Sequence, residues 1–111
     1  MLPQKTLYRI VRRIRPAPLA SAIGNISGLS IRKVVRTRHG AFFINPVSEF
    51  GYCLMFSDDY EQGMTAVLQR YLSPGGVFID LGANEGYFSV LASRLVGPSR
   101  NVTAVEPQSR Q

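Results

Sequence analysis

Residues 77–81 (VFIDL) constrain this chain more than any other stretch, because an uninterrupted apolar run ends there in an acid and passes at once into Gly82-Ala83-Asn84-Glu85-Gly86. A strand with one face in water would alternate apolar and polar residues; a continuous run suits a strand of a parallel sheet, buried on both faces. Residues 86–96 then read as a helix, with Phe88, Leu91 and Leu95 on one side and Gly97-Pro98 to stop it. Residues 101–106 (NVTAVE) read as a second strand. Strand, helix and strand over 77–106 have the length of one βαβ unit, so the C-terminal half is expected to be α/β with a parallel strand pair.

The turn between the first strand and its helix is where open α/β sheets hold nucleotides, beyond the carboxyl ends of the strands. Gly82 and Gly86 remove side chains where backbone has to pass close to a ligand, and Asn84 between them tolerates positive φ. The amides that open the following helix, with its dipole, favour an anionic ligand group such as a carboxylate. Glu106 ends the second strand at the same edge of the sheet, and an acid there can accept both hydroxyls of a ribose. Pro107 stiffens the exit.

Upstream, residues 31–38 (IRKVVRTR), 41–45 (AFFIN) and 52–56 (YCLMF) read as three short strands of an antiparallel meander, joined at His39-Gly40 and at 46–51. His39, the single histidine, is expected as a turn residue, and Cys53, the single cysteine, as a small buried hydrophobe. A helix is expected over 60–72, with Met64, Val67, Leu68 and Tyr71 as its stripe and Asp58 with Glu61 spaced as a capping box; Ser73-Pro74-Gly75-Gly76 ends it.

The first 48 residues hold nine basic residues (Lys5, Arg9, Arg12, Arg13, Arg15, Arg32, Lys33, Arg36, Arg38) and no acid, while the remainder holds four basic and seven acidic ones. Within 6–15, Leu7, Ile10, Val11 and Ile14 fall on one helical stripe, and Pro16 and Pro18 are expected to end that helix. Such a basic amphipathic helix can meet an anionic membrane or nucleic acid, can be an organelle-targeting segment, or can simply dock by its stripe; the docked leader is the expectation adopted. No stretch approaches the roughly 20 apolar residues of a membrane span and no secretory apolar region opens the chain, so a cytoplasmic protein is expected.

Residues 80–88 (DLGANEGYF) followed by 102–107 (VTAVEP) resemble the first motif and the ribose-binding acid of class I methyltransferases, and most nearly the FkbM-type family of small-molecule O-methyltransferases. Residues 59–61 (DYE) and the Ser-Pro-Gly-Gly before the first strand resemble that family's approach to the motif, and the resemblance spans roughly 36–107. It implies that Gly82, Asn84 and Gly86 line the methionine end of S-adenosylmethionine, that Glu106 holds its ribose, and that Asp80 sits under the glycine turn. Ala83 and Tyr87 complete the implied cofactor-binding set, and Glu61 either reaches the cofactor or caps its helix. A nicotinamide-binding turn would want G-x-G-x-x-G, whereas here Asn84 takes the second position and Gly86 comes one residue early.

The implied fold class is α/β: an incomplete Rossmann-like class I methyltransferase fold with one βαβ unit, preceded by the meander and a helix. Residues 1–30 form a basic, partly helical leader and 31–111 the N-terminal part of the methyltransferase domain, cut at its second core strand. The implied function is the cofactor-binding portion of an S-adenosylmethionine-dependent O-methyltransferase, with a small-molecule methyl acceptor as partner, no metal, and nucleic acid not expected. Adenine-reading and acceptor-positioning residues would follow the second strand, so no catalytic residue is named and the 111 residues are expected to be inactive and marginally stable. The alternative is a catalytically inactive remnant or binding module whose basic leader contacts an anionic partner.

Overall fold

The computed structural model describes residues 2–57 and 60–108. In chain order the elements are α1 (Gln4–Arg13), α2 (Ala17–Ile26), β1 (Lys33–Thr37), β2 (Gly40–Ile44), α3 (Glu49–Phe56), α4 (Gln62–Tyr71), β3 (Phe78–Leu81), α5 (Tyr87–Val96) and β4 (Val102–Val105). The fold is mixed α/β, with a small antiparallel hairpin, β1–β2, and a parallel pair, β3–β4. Two compact units divide it: one comprises the chain up to Thr37 with Ala41–Tyr60, the other Arg38–Gly40 with everything from Glu61 onward.

In the first unit, Tyr8 and Val11 are the buried residues of α1, while Ile10 of the expected stripe is exposed. Helix α1 stops at Arg13, and Ile14 is already extended. Pro16 and Pro18 do not merely end a helix, as expected; they open another. Pro16 is the N-cap of α2 and Pro18 lies in its first turn, where a missing N–H costs nothing because that donor has no intrahelical acceptor.

The third strand of the expected meander is absent: residues 52–56 belong to α3. The turn before them decides this. Asn45 Oδ1 accepts from the Val47 amide at 3.1 Å, and Ser48 Oγ accepts from the Gly51 amide at 2.9 Å while donating to the Asn45 carbonyl at 2.8 Å. Ser48 thereby caps the new helix and satisfies one of its orphan donors. Gly51 is required at this point, since a Cβ there would overlap the Asn45 carbonyl oxygen. The unit's core is aromatic and aliphatic: Tyr8, Val11, Phe42, Ile44, Phe50 and Leu54 are buried, with Phe42 edge-on to Phe50 at 6.0 Å and Phe50 edge-on to Tyr60 at 5.0 Å. Arg12 pairs with Glu49 at 2.9 Å and lies 4.7 Å over the Tyr52 ring.

In the second unit, α4 begins at Gln62, and its N-cap, Glu61, is left-handed (φ 45°) and makes no side-chain cap. The expected capping box is therefore not formed by Glu61; Asp58, its proposed partner, and Asp59 lie outside the described residues. Helix α5 buries Tyr87, Leu91, Ala92 and Val96, with Phe88 and Leu95 half-buried beside them. Strands β3 and β4 run parallel in the register Phe78–Val102, Ile79–Thr103, Asp80–Ala104 and Leu81–Val105, joined through α5 as a βαβ unit.

Burial of β3 on both faces is not observed. Phe78 and Asp80 are half-covered, whereas Ile79 and Leu81 point to solvent, Leu81 being 77% exposed. Helix α5 packs on both strands of the pair, and among the described residues no layer covers the Ile79–Leu81 face.

Candidate functional site

The βα turn is built from three left-handed residues in alternation. Gly82 has φ 80°, Asn84 φ 50° and Gly86 φ 78°, and Gly86 is the N-cap from which α5 starts. Glycine tolerates this region at no steric cost, and asparagine is the residue type that follows it best. A Cβ built on Gly82 or on Gly86 would meet nothing within 4 Å. Backbone conformation, rather than crowding by the protein, thus selects glycine at both positions, and room is left on the turn for a group from outside the chain.

Hydrogen bonds fasten the turn to the end of β4. The Val105 carbonyl accepts from the Gly82 amide at 2.8 Å and from the Ala83 amide at 3.0 Å, and the Ala83 carbonyl accepts from the Gly86 amide at 2.7 Å. Glu106 then reaches across: its Oε2 accepts from the Asn84 amide at 2.8 Å, and its Oε1 from the Gln108 amide at 2.9 Å. The acid that the sequence places at the sheet edge is therefore in contact with the glycine turn.

Asp80 lies under the turn on the covered face of β3, but its bond goes to the helix: Ser89 Oγ donates to Asp80 Oδ2 at 2.6 Å, ties the first turn of α5 to the strand and orients the carboxylate. Tyr87, 3% exposed, points into the unit, edge-on to His39 at 6.0 Å and to Phe88 at 5.2 Å. It buttresses the start of α5 from beneath. His39 is in the β1–β2 turn, as expected, and is buried as well, with Arg38 Nε donating to its Nε2 at 3.0 Å.

Of the residues singled out from sequence, Gly82, Ala83, Asn84, Gly86 and Glu106 come together in one hydrogen-bonded loop, and Asp80 and Tyr87 support it from below. Glu61 makes no side-chain cap and stands as the N-cap residue just before α4. Sequence reasoning did not find Ser89 or the double acceptor at Val105. A serine three residues into a helix has many possible partners, and a carbonyl leaves no mark in the sequence at all. Among the described residues no group of three or more His, Cys, Asp or Glu side chains could hold a metal ion, and no helix is long and apolar enough to cross a membrane. Comparison with protein families, with curated proteins and with solved structures finds no match to this chain.

Proposed function

We propose that the Gly82–Gly86 turn and Glu106 form a cofactor site for S-adenosylmethionine, and that the chain is the cofactor-binding portion of an O-methyltransferase for small molecules. The observation that carries the reading is the Glu106–Asn84 bond, 2.8 Å long, which sets a carboxylate beside a turn of three left-handed residues at the carboxyl end of a parallel strand pair. The open space at the Gly82 and Gly86 Cβ positions fits a ligand lying on the turn.

In this reading Gly82, Asn84 and Gly86 line the methionine end, and the N-terminus of α5 favours its carboxylate. Glu106 is shared between the loop and the ribose hydroxyls, a carboxylate being able to accept about four hydrogen bonds. Asp80, held by Ser89, supports the turn and puts negative charge near the cofactor's cationic end. The cofactor supplies an electrophilic methyl group, and transfer then rests mainly on in-line positioning of the acceptor. The substrate class, a small hydroxyl compound, follows from the sequence resemblance alone.

Titration calorimetry tests the site. Glu106→Ala should weaken S-adenosylmethionine binding by about 1.5–3 kcal/mol, the range for hydrogen bonds to a charged group. Gly82→Val should abolish it, because a branched side chain would occupy the ligand's space and resist positive φ. Unchanged affinity in both variants, or a clear preference for NAD, overturns the assignment.

A further inference from the structure

We infer that the cleft where α1, α2 and the turn before α3 meet is a binding site for a small phosphate monoester, held as its dianion by Arg12, Arg13 and Arg15. The cleft has a volume of about 520 Å³, within the span of roughly 300–1,000 Å³ usual for small-molecule sites, and lies wholly in the first unit. Its walls come from separate stretches of chain: the arginines from the last turn of α1 and the link after it, Ser21 from α2, and Asn45 and Glu49 from the turn and the start of α3. The end of α1 at Arg13 creates the cluster. On a continuous helix Arg13 and Arg15 would stand about 200° apart, on opposite sides. Because Ile14 is already extended, both line the same cleft.

Arg12 is the anchored member. Its Nη2 donates to Glu49 Oε2 at 2.9 Å and its guanidinium lies 4.7 Å over the Tyr52 ring, an ion pair that does not exhaust the donors of the guanidinium fork. Arg13 and Arg15 are exposed and meet no carboxylate among the described residues. Three cations and one acid in the lining leave two positive charges, which matches the dianion of a phosphate monoester. Shape points the same way. A tetrahedral phosphoryl group presents oxygens in several directions, so guanidinium groups arriving from either side of the helix end can each meet one; a carboxylate offers two oxygens in one plane and a single charge. Glu49 on the wall, its side chain 69% exposed, opposes a long phosphodiester chain or a sheet of anionic lipid, whose charges would extend past the arginines onto it. The terminal phosphoryl group of a lipid shares the chemistry of a soluble ester, and the test separates the two.

The test is protection of the full chain from phenylglyoxal, a reagent for arginine side chains, with peptide mass spectrometry reading each arginine separately. Phenyl phosphate should protect Arg12, Arg13 and Arg15 saturably and leave Arg9 and Arg36, exposed and outside the cleft, reacting as before. Phenyl sulfate, of the same shape but singly charged, should need about fivefold more for the same protection. Arg13→Gln should raise the phenyl phosphate concentration that half-protects Arg15 by about fivefold, whereas Arg9→Gln, which removes the same charge from α1, should change it by less than about twofold. Both side chains are exposed, and circular dichroism should match the parent. No protection by phenyl phosphate, equal protection of Arg9 and Arg36, equal potency of phenyl sulfate, or no loss in Arg13→Gln overturns the inference. So does protection by phosphatidic acid vesicles or by oligothymidylate without any by the soluble ester, which would assign the arginines to a membrane or to a nucleic acid.

Discussion

Cys53 sits one turn after Glu49 on α3, with its thiol 3.8 Å from Glu49 Oε1. Burial raises its pKa first, the Glu49 charge and hydrogen bond add to this, and Arg12 opposes them. Because the folded state holds this proton more tightly than the unfolded state, the associated stability is present below the thiol's ordinary titration range and is lost as pH rises through the raised one. Glu49→Gln should lower the pKa and speed alkylation of Cys53 by iodoacetamide at neutral pH; an unchanged or slower rate would contradict this account. At the same scale, the left-handed positions of the βα turn were legible because only a few residue types occupy that region, and Gly82, Asn84 and Gly86 all do. The partners of Asp80 and Glu106 were not, since they lie nine and 22 residues away and depend on how α5 and β4 return.

Helix α3 shows where local pattern runs out. A five-residue apolar run such as YCLMF fits a buried strand and a helix equally, and periodicity over so short a span cannot separate them. What decides is upstream, in the Asn45 turn and the Ser48 cap. Ser48→Ala should destabilise the first unit by about 1 kcal/mol in urea unfolding, the usual cost of an N-cap serine, whereas a change under about 0.3 kcal/mol would mean that packing of Phe50 and Leu54 alone fixes the helix. The prolines mislead in a different way: the same residue that cannot continue α1 is well suited to begin α2. The parallel pair was readable because strand, helix and strand with a turn of fixed chemistry leave few alternatives. Its one-sided cover was not read from the apolar run, which reports the surface a strand can bury rather than what lies against it.

For the molecule as a whole, the exposed apolar face of the β3–β4 pair is expected to set behaviour in solution. Among the described residues the pair is a two-stranded sheet with Val77, Ile79 and Leu81 exposed, and an apolar strand at the edge of a sheet is a template for association. The chain is expected to aggregate at moderate concentration and to melt without a sharp transition. Val77→Thr with Ile79→Thr should raise soluble yield while shifting stability by no more than about 0.5 kcal/mol, because neither side chain is in the core; a sharp melt and full solubility of the parent would refute this. The turn at the end of that sheet behaves differently. Since Glu106 holds Asn84 across 22 residues of chain, the loop has its left-handed conformations before any ligand arrives. The entropy of fixing those residues, about 1–2 kcal/mol for each, is charged to folding and not to association. A ligand landing there loses mainly its own freedom.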